Sequence, residues 1–197
     1  MRSLGWPVAI GGGTAGGAVL AAERLVSGGV TALISFGLAG GLDPALRAGS
    51  LLVPRAIVTN EQHLLTDPEL SERLGGVSVP LLLGARDVVA SVAAKRALFA
   101  ATGAAAVDLE SGAVAGVAAE HGLPFAVLRA ICDPAERDLP PAALIALDRH
   151  GVIGLARVLG SILAHPAQVA GLLALARDAA AARRALRDAV IAIRTGL

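Results

Sequence analysis

Residues 104–134 constrain the fold of this chain more than any other stretch. Residues 104–109 form a short apolar run, and 111–121 carry Val114, Val117 and Ala118 at helical spacing. Residues 125–131 form a second apolar run, and Gly122 is placed to end the helix before it, so the segment reads as strand, helix, strand. A carboxylate stands where each strand ends: Glu110 in Val107-Asp108-Leu109-Glu110-Ser111 and Asp133 in Arg129-Ala130-Ile131-Cys132-Asp133-Pro134. Such a unit makes its two strands parallel, which puts Glu110 and Asp133 on one edge of the sheet. Open parallel sheets bind ligands along that edge.

Each acid also has a plainer reading. Glu110 suits a helix N-terminus, where the macrodipole favours an acid, and Asp133 suits a turn before Pro134. Asp133, however, follows an almost wholly apolar strand and lies between Cys132 and Pro134. That setting desolvates a carboxylate and raises its pKa toward that of a proton donor.

The rest of the chain repeats the alternation. Residues 6–10 read as a strand, 11–17 as a glycine-rich turn and 18–26 as a helix ended by Gly28-Gly29. Residues 31–36 read as a strand leading into Phe36-Gly37-Leu38-Ala39-Gly40-Gly41-Leu42, and 50–58 as a third strand. Residues 60–76 are polar and read as a surface loop with a short helical turn, 77–83 as a strand, and 88–101 as a helix with Lys95 and Arg96 outward. Beyond Pro141 the chain reads as helical to its end, interrupted near His150-Gly151 and His165-Pro166. This order predicts an α/β fold with a central mixed, mostly parallel sheet flanked by helices. A length of 197 residues suits one such domain with a sizeable core, its part from 142 to 197 helical.

Composition narrows the function classes. Hydrophobic residues make up 55% but aromatics only 2%, so small aliphatic side chains must pack the interior closely. A formal charge of +1 gives no general electrostatic reason to expect nucleic acid. The single cysteine cannot form an intrachain disulfide and no cationic leader precedes residue 6, so the cytoplasm is expected. No apolar stretch reaches the roughly 18 residues of a spanning helix. His63, His121, His150 and His165 are scattered without ligand spacing, and no metal site is expected. Cys132 is a nucleophile in principle, but it sits at a buried strand end without a His partner, which favours packing.

Residues 167–194 carry five arginines (Arg177, Arg183, Arg184, Arg187, Arg194) against Asp178 and Asp188, together with Leu172, Leu173, Leu175, Leu186, Val190 and Ile193. A basic amphipathic helix of this kind lies on an anionic bilayer surface, or is an ordinary outer helix with a solvated charged face.

Gly11-Gly12-Gly13-Thr14-Ala15-Gly16 satisfies the dinucleotide pattern G-x-G-x-x-G. That pattern also needs an acid roughly 20 residues on, at the end of the next strand. Ser35, Phe36 and Gly37 stand there instead, and Asp43 precedes Pro44 in a loop, so NAD is disfavoured. The glycines Gly11, Gly12 and Gly13 suit an anion loop, because their N–H groups approach an anion unobstructed, or simply a tight packing turn.

Val-Asp-Leu-Glu-Ser, a helix, Leu-Pro-Phe-Ala-Val-Leu-Arg-Ala-Ile-Cys-Asp and the upstream segment from Phe36 to Leu42 together resemble the purine nucleoside phosphorylase and methylthioadenosine nucleosidase superfamily. Within it the chain looks most like the hopanoid-associated phosphorylases, assigned to removing adenine from adenosylhopane. The residues that carry this are Asp133-Pro134, Leu139-Pro140-Pro141-Ala142-Ala143 and the helical tail. The resemblance implies cleavage of a purine N-glycosidic bond without a cofactor, with phosphate or water as the nucleophile. It implies a nucleoside substrate, lipid-linked in the hopanoid case, and a homo-oligomer.

By that resemblance Asp133 is the general acid at the purine N7 side, and Glu110 accepts hydrogen bonds from the ribose hydroxyls. Leu109 lines the sugar, Gly37 and Leu38 lie in the segment that contacts phosphate or water, and Val88 lies where relatives contact the base. Gly11, Gly12 and Gly13 lie near the ribose and the nucleophile. Three departures stand out. Leu38 replaces a common serine. No arginine stands near Ser35, where bacterial phosphorylases often have one and for which Arg47 or Arg55 are substitutes. Relatives also begin with a strand and a glutamate-bearing loop, whereas this chain starts almost directly at residue 6. A missing strand, from a late start or a real shortening, would expose a sheet edge. A nucleoside-binding or scaffold protein of the same fold is the alternative.

Overall fold

The computed structural model describes residues 5–60, 62–146 and 168–195. Helix α1 (Ala15–Ser27) is followed by β1 (Leu33–Gly41), β2 (Leu51–Val58), β3 (His63–Leu65), α2 (Pro68–Leu74) and β4 (Val77–Gly84). Then come α3 (Val92–Thr102), β5 (Ala106–Asp108), α4 (Ser111–Glu120), β6 (Phe125–Asp133), α5 (Pro141–Ala146) and α6 (Gln168–Thr195). The expected breaks at His150 and His165 lie outside the described residues.

The strands form one mixed sheet in the order β3-β2-β4-β5-β1-β6, and β2 also pairs with β6. That last pairing, Leu51 with Ala130 and Leu52 with Arg129, rolls the sheet into a ring. The longer ladders, β1 with β6 and β2 with β4, are parallel, and the short ones of β1 with β5 and β2 with β6 are antiparallel. The α/β fold with a mixed, mostly parallel sheet is as the sequence predicts. The open carboxyl edge is not, because the sheet closes.

Closure overturns the key inference about the two acids. Strand β5 runs antiparallel to β1, and β1 runs parallel to β6, so β5 and β6 are opposed. Helix α4 therefore joins strands separated by β1, and the rule for parallel crossovers between strands of like direction does not apply to it.

Boundaries shift for local reasons. Helix α1 begins at Ala15 because Thr14 caps it, its hydroxyl accepting from Gly17 N at 3.1 Å, so Gly16 and Gly17 are helical. Helix α3 begins at Val92 because Ser91 accepts from Ala94 N, and Gly103 ends it in the left-handed conformation at φ +67°. Segment 60–76 holds β3, paired with β2, and α2, capped by Asp67 with Pro68 in its first turn. Strand β1 runs on through Gly37–Gly41, beyond the expected end at Phe36. Residues 6–10 form no strand among the described residues, and Val8 and Ile10 are exposed. An apolar run without a partner edge makes no ladder.

Strand β6 is buried on both faces, which explains why its run is apolar but for Arg129. Phe125, Val127 and Ile131 join the main core with Ala22 of α1 and Ala115, Val117 and Ala118 of α4. Ala126, Leu128 and Ala130 meet Ala182, Leu186 and Ala189 of α6 on the other face. Alanine lines much of both layers, as the scarcity of aromatics required. The apolar stripe of α6 is thus spent on the core, while Arg177, Arg183, Arg184 and Arg187 are exposed.

Lys95 does not point outward. It is 0% exposed, whereas its neighbour Arg96 is exposed as expected.

Candidate active site

Two buried polar clusters flank β6. The first is built on Arg129, whose guanidinium is 1% exposed in an otherwise apolar strand segment. Its Nη2 donates to Ser35 Oγ at 2.6 Å and to Ser111 Oγ at 3.0 Å, and its Nε lies 2.5 Å from Asp108 Oδ2. Ser111 Oγ donates to the same Asp108 oxygen at 2.5 Å. A buried charge needs such compensation.

Asp108 also does the work of a helix cap. Its Oδ1 accepts from Ser111 N at 3.0 Å and Glu110 N at 3.3 Å. Glu110 occupies the N-cap position of α4 but makes no side-chain cap bond. Its carboxylate instead crosses to the glycine loop, where Oε1 accepts from Gly13 N at 2.9 Å, while Oε2 lies 3.9 Å from Arg129 Nη1. Glu110 thus stands at the helix terminus, as its plainer reading has it, and its side chain also reaches the glycine loop and Arg129.

The glycines of this region make room for those side chains. A Cβ on Gly11 would lie 2.5 Å from Glu110 Oε1, and one on Gly37 would strike Arg129 Nη1. Gly12 and Gly13 have φ of +75° and +78°, a turn that L side chains resist. A cleft lined by Gly11, Ser35, Phe36, Glu110, Val114 and alanines of α1 opens beside this cluster. The NAD pattern loses its context here, because among the described residues no strand precedes the glycine turn.

The second cluster surrounds Asp133, which is opposite Gly40 across a register shift in the β1–β6 ladder. Lys95 Nζ lies 2.7 Å from Asp133 Oδ2 and donates to the carbonyls of Pro134 at 3.0 Å and Arg137 at 2.8 Å. Asp133 Oδ1 is buried and has no hydrogen-bond partner among the described residues. Burial pushes the Asp133 carboxyl above its ordinary value of 3.8, and the pull of Lys95 in the other direction does not cancel it. Burial also pushes the neighbouring Cys132 thiol up to about 11, which fits a packing residue beside the layer under α6.

The expected site residues are only partly gathered. Gly11 and Gly13 meet the Glu110 carboxylate, and Glu110 and Gly37 meet Arg129. Leu38 does not join them: it packs on the opposite face with the layer under α6, because side chains alternate along β1. Leu109 is half-buried beside Glu110 in sequence but outside the lining of the cleft. Val88 is partly exposed in the β4–α3 connection, which is tied to the segment after Asp133 by Leu139 N donating to Ala90 O at 2.8 Å. Asp133 stands four residues beyond Arg129 on β6, about 13 Å along an extended strand. Arg47 is exposed and Arg55 bonds Ser78, so the cation beside Ser35 is Arg129.

Arg129, Ser35, Ser111, Asp108 and Lys95 were not singled out from sequence. Two signals pointed to them. Arg129 is a charge inside a doubly buried strand, and Lys95 falls on the stripe of α3 that carries Val92, Leu98 and Phe99.

No curated protein matches the chain. Among solved structures it is similar to a 5′-methylthioadenosine/S-adenosylhomocysteine nucleosidase of Helicobacter pylori, with 18% identity, 94% of this chain and 77% of that one covered, and a TM-score of 0.61. It is similar to the futalosine hydrolase of the same organism, with 21% identity, 81% and 77% coverage and a TM-score of 0.58. A third is the S-adenosylhomocysteine nucleosidase of Streptococcus pyogenes, with 20% identity, 80% and 76% coverage and a TM-score of 0.58. At these identities the likeness is one of fold. The model of the phosphorylase superfamily matches residues 8–163, and the chain belongs to that superfamily.

Proposed function

We propose that this chain cleaves the N-glycosidic bond of a purine nucleoside, with Asp133 protonating the departing base at its N7 side and Glu110 accepting from the ribose hydroxyls. One observation carries the reading: Asp133 is a buried carboxyl with a raised pKa and one unpartnered oxygen. Losing a purine requires neutralising charge on the base while the sugar becomes oxocarbenium-like, the demand that glycosidases meet with two carboxyl groups. Glu110, bonded to an amide and facing a guanidinium, suits the sugar side. The nucleosidases and the hydrolase among the similar structures support the reaction class.

The finer reading is release of adenine from adenosylhopane, with water or phosphate as the nucleophile. Its support is the resemblance of Asp133-Pro134 and of residues 139–143 to the hopanoid-associated phosphorylases. A lipid-linked substrate fits a peripheral contact with the inner membrane through the exposed arginines of α6. No helix among the described residues is long and apolar enough to cross a membrane. A homo-oligomer is proposed on the same resemblance.

The test is chromatography of free adenine after incubation with adenosylhopane or methylthioadenosine, with and without phosphate. Release that depends on phosphate identifies phosphorolysis. No release from any purine nucleoside, or full activity in Asp133→Asn, defeats the reading. One observation favours the second reading, nucleoside binding without turnover: Asp133 and the Glu110 cluster stand apart along β6. Calorimetric binding of a nucleoside with no base release would establish it.

A further inference from the structure

Helix α3 brings a second buried cation to β6, and the reaction proposed above does not use it. Lys95 is 0% exposed, and its ammonium has three N–H donors to place. All three find acceptors: Asp133 Oδ2 at 2.7 Å, Pro134 O at 3.0 Å and Arg137 O at 2.8 Å. The ammonium thus grips one oxygen of the carboxylate together with the backbone that leaves β6. The loop is pinned to the start of α3 a second time, where Asp138 Oδ1 accepts from Val92 N at 2.6 Å. Gly40 lies across the ladder from Asp133, and its backbone passes at van der Waals distance from the clamped oxygen.

Because Oδ2 is held, the two oxygens of Asp133 are no longer equivalent. Oδ1 is buried and without a partner among the described residues. We propose that Lys95 is a positioning residue for Asp133, holding Oδ2 and the following loop so that Oδ1 is the oxygen that carries and delivers the proton. The inference rests on the nucleosidase reading. In the step it serves, the Oδ1–H bond breaks and the proton passes to N7 of the purine. The electron pair of the glycosidic bond moves onto the base, and water or phosphate supplies the pair that forms the new bond to the sugar carbon; an attacking water gives up its proton to solvent, from which Asp133 is reprotonated before the next turnover. Asp133 is left as a carboxylate, and the ammonium 2.7 Å away stabilises the charge that has just formed. A purely apolar site would keep the acid protonated but make it a poor donor. The other charged groups near this carboxyl are Arg137, from the following loop, and Asp178 of α6, which pair with each other.

Lys95→Met keeps the length of the side chain and removes its three donors. The expected result is a fall in kcat of about 100-fold, the scale of a misplacement near 1 Å, with KM little changed. The basic limb of the kcat profile should move to higher pH, since Asp133 loses the cation that favours its ionised form. In an Asp133→Asn background the same change should cost kcat almost nothing further. An unmoved limb, or equal losses in both backgrounds, would show that Lys95 only holds the loop and would overturn the proposal. If Lys95→Met does not fold, the unmodified chain still decides: the Lys95 ammonium resonance should shift at the pH where the Asp133 carboxyl carbon titrates, and independent titrations would overturn the pairing. Absence of base release by the unmodified chain defeats the nucleosidase reading and this role together. Release with an unmoved limb defeats the role of Lys95 alone.

Discussion

Replacing Gly11 with alanine would place a methyl carbon 2.5 Å from Glu110 Oε1 and 3.1 Å from Ala18 Cα. Nonbonded heavy atoms settle at about 3.5 to 4 Å, so the carboxylate must retreat by roughly 1 Å. That is enough to break its 2.9 Å bond from Gly13 N. A hydrogen bond to a charged group contributes about 1.5–3 kcal/mol, and the lower end applies because the Glu110 side chain is 24% exposed. Gly11 has no left-handed φ, so alanine also recovers about 0.4–1 kcal/mol by restricting the unfolded chain. The net loss is about 1 kcal/mol, or about 2–4 °C in Tm for a chain of this size.

The functional loss should be much larger, about 100-fold in kcat/KM, because the carboxylate proposed to hold the sugar has moved by about 1 Å. Gly16→Ala is the control. It lies in the first turn of α1 with nothing within 4 Å of its would-be Cβ. It should stabilise the fold by about 0.5–1 kcal/mol and leave turnover intact. Urea denaturation followed by circular dichroism, together with adenine release, reads both variants. If Gly11→Ala matched Gly16→Ala in stability and in turnover, the contact between the glycine loop and Glu110 would not exist in solution.

Arg129→Met leaves Asp108, with its side chain 4% exposed, without its counter-charge, and should cost about 3–5 kcal/mol in urea denaturation. Adding Asp108→Asn should restore much of that, and a single-variant loss under about 1 kcal/mol would contradict the buried pair. Asp133 keeps in the folded state a proton that the unfolded chain sheds near 3.8, so its contribution to stability falls as pH rises from there to its raised value. Asp133→Asn should flatten that slope in denaturation curves taken across the acid range, and an unchanged slope would refute the raised pKa. The base-release rate should decline with rising pH at a higher point than an ordinary carboxyl allows. Reversing Arg183, Arg184 and Arg187 to glutamate should abolish cosedimentation with phosphatidylserine vesicles at low salt while leaving the fold intact, because these side chains face solvent. Binding that survived both the reversal and high salt would refute an electrostatic contact.

Local chemistry made much of the fold legible. The doubly buried β6 and the glycine stops after α1 and α4 all have signatures within a few residues. Errors arose where the outcome depended on distant partners. Residues 6–10 have strand composition but no partnered edge, and the strand expected to end at Phe36 runs on to Gly41, where the missing side chain of Gly37 leaves room for Arg129. The direction of β5 relative to β6 depends on β1 lying between them, which no local pattern encodes. Lys95 bears a charge that a helix ordinarily gives to solvent, yet it falls on the stripe of Val92, Leu98 and Phe99 and is buried.

The opposed strands bring the two carboxylates to different stretches of β6. Since β5 runs against β1, the residues beyond its end return toward the middle of β6 and set Glu110 beside Arg129 rather than beyond Asp133. The two acids then rest on different elements: Glu110 on the glycine loop and the cation of β6, and Asp133 on α3 and the loop that leaves β6. Environments that differ in this way divide a pair of carboxyl groups into acceptor and donor. A parallel arrangement would have set both acids at one edge among shared neighbours. The closed ring instead gives each its own cation, so that Arg129 and Lys95 can be altered separately to ask which acid holds the sugar and which gives up the proton.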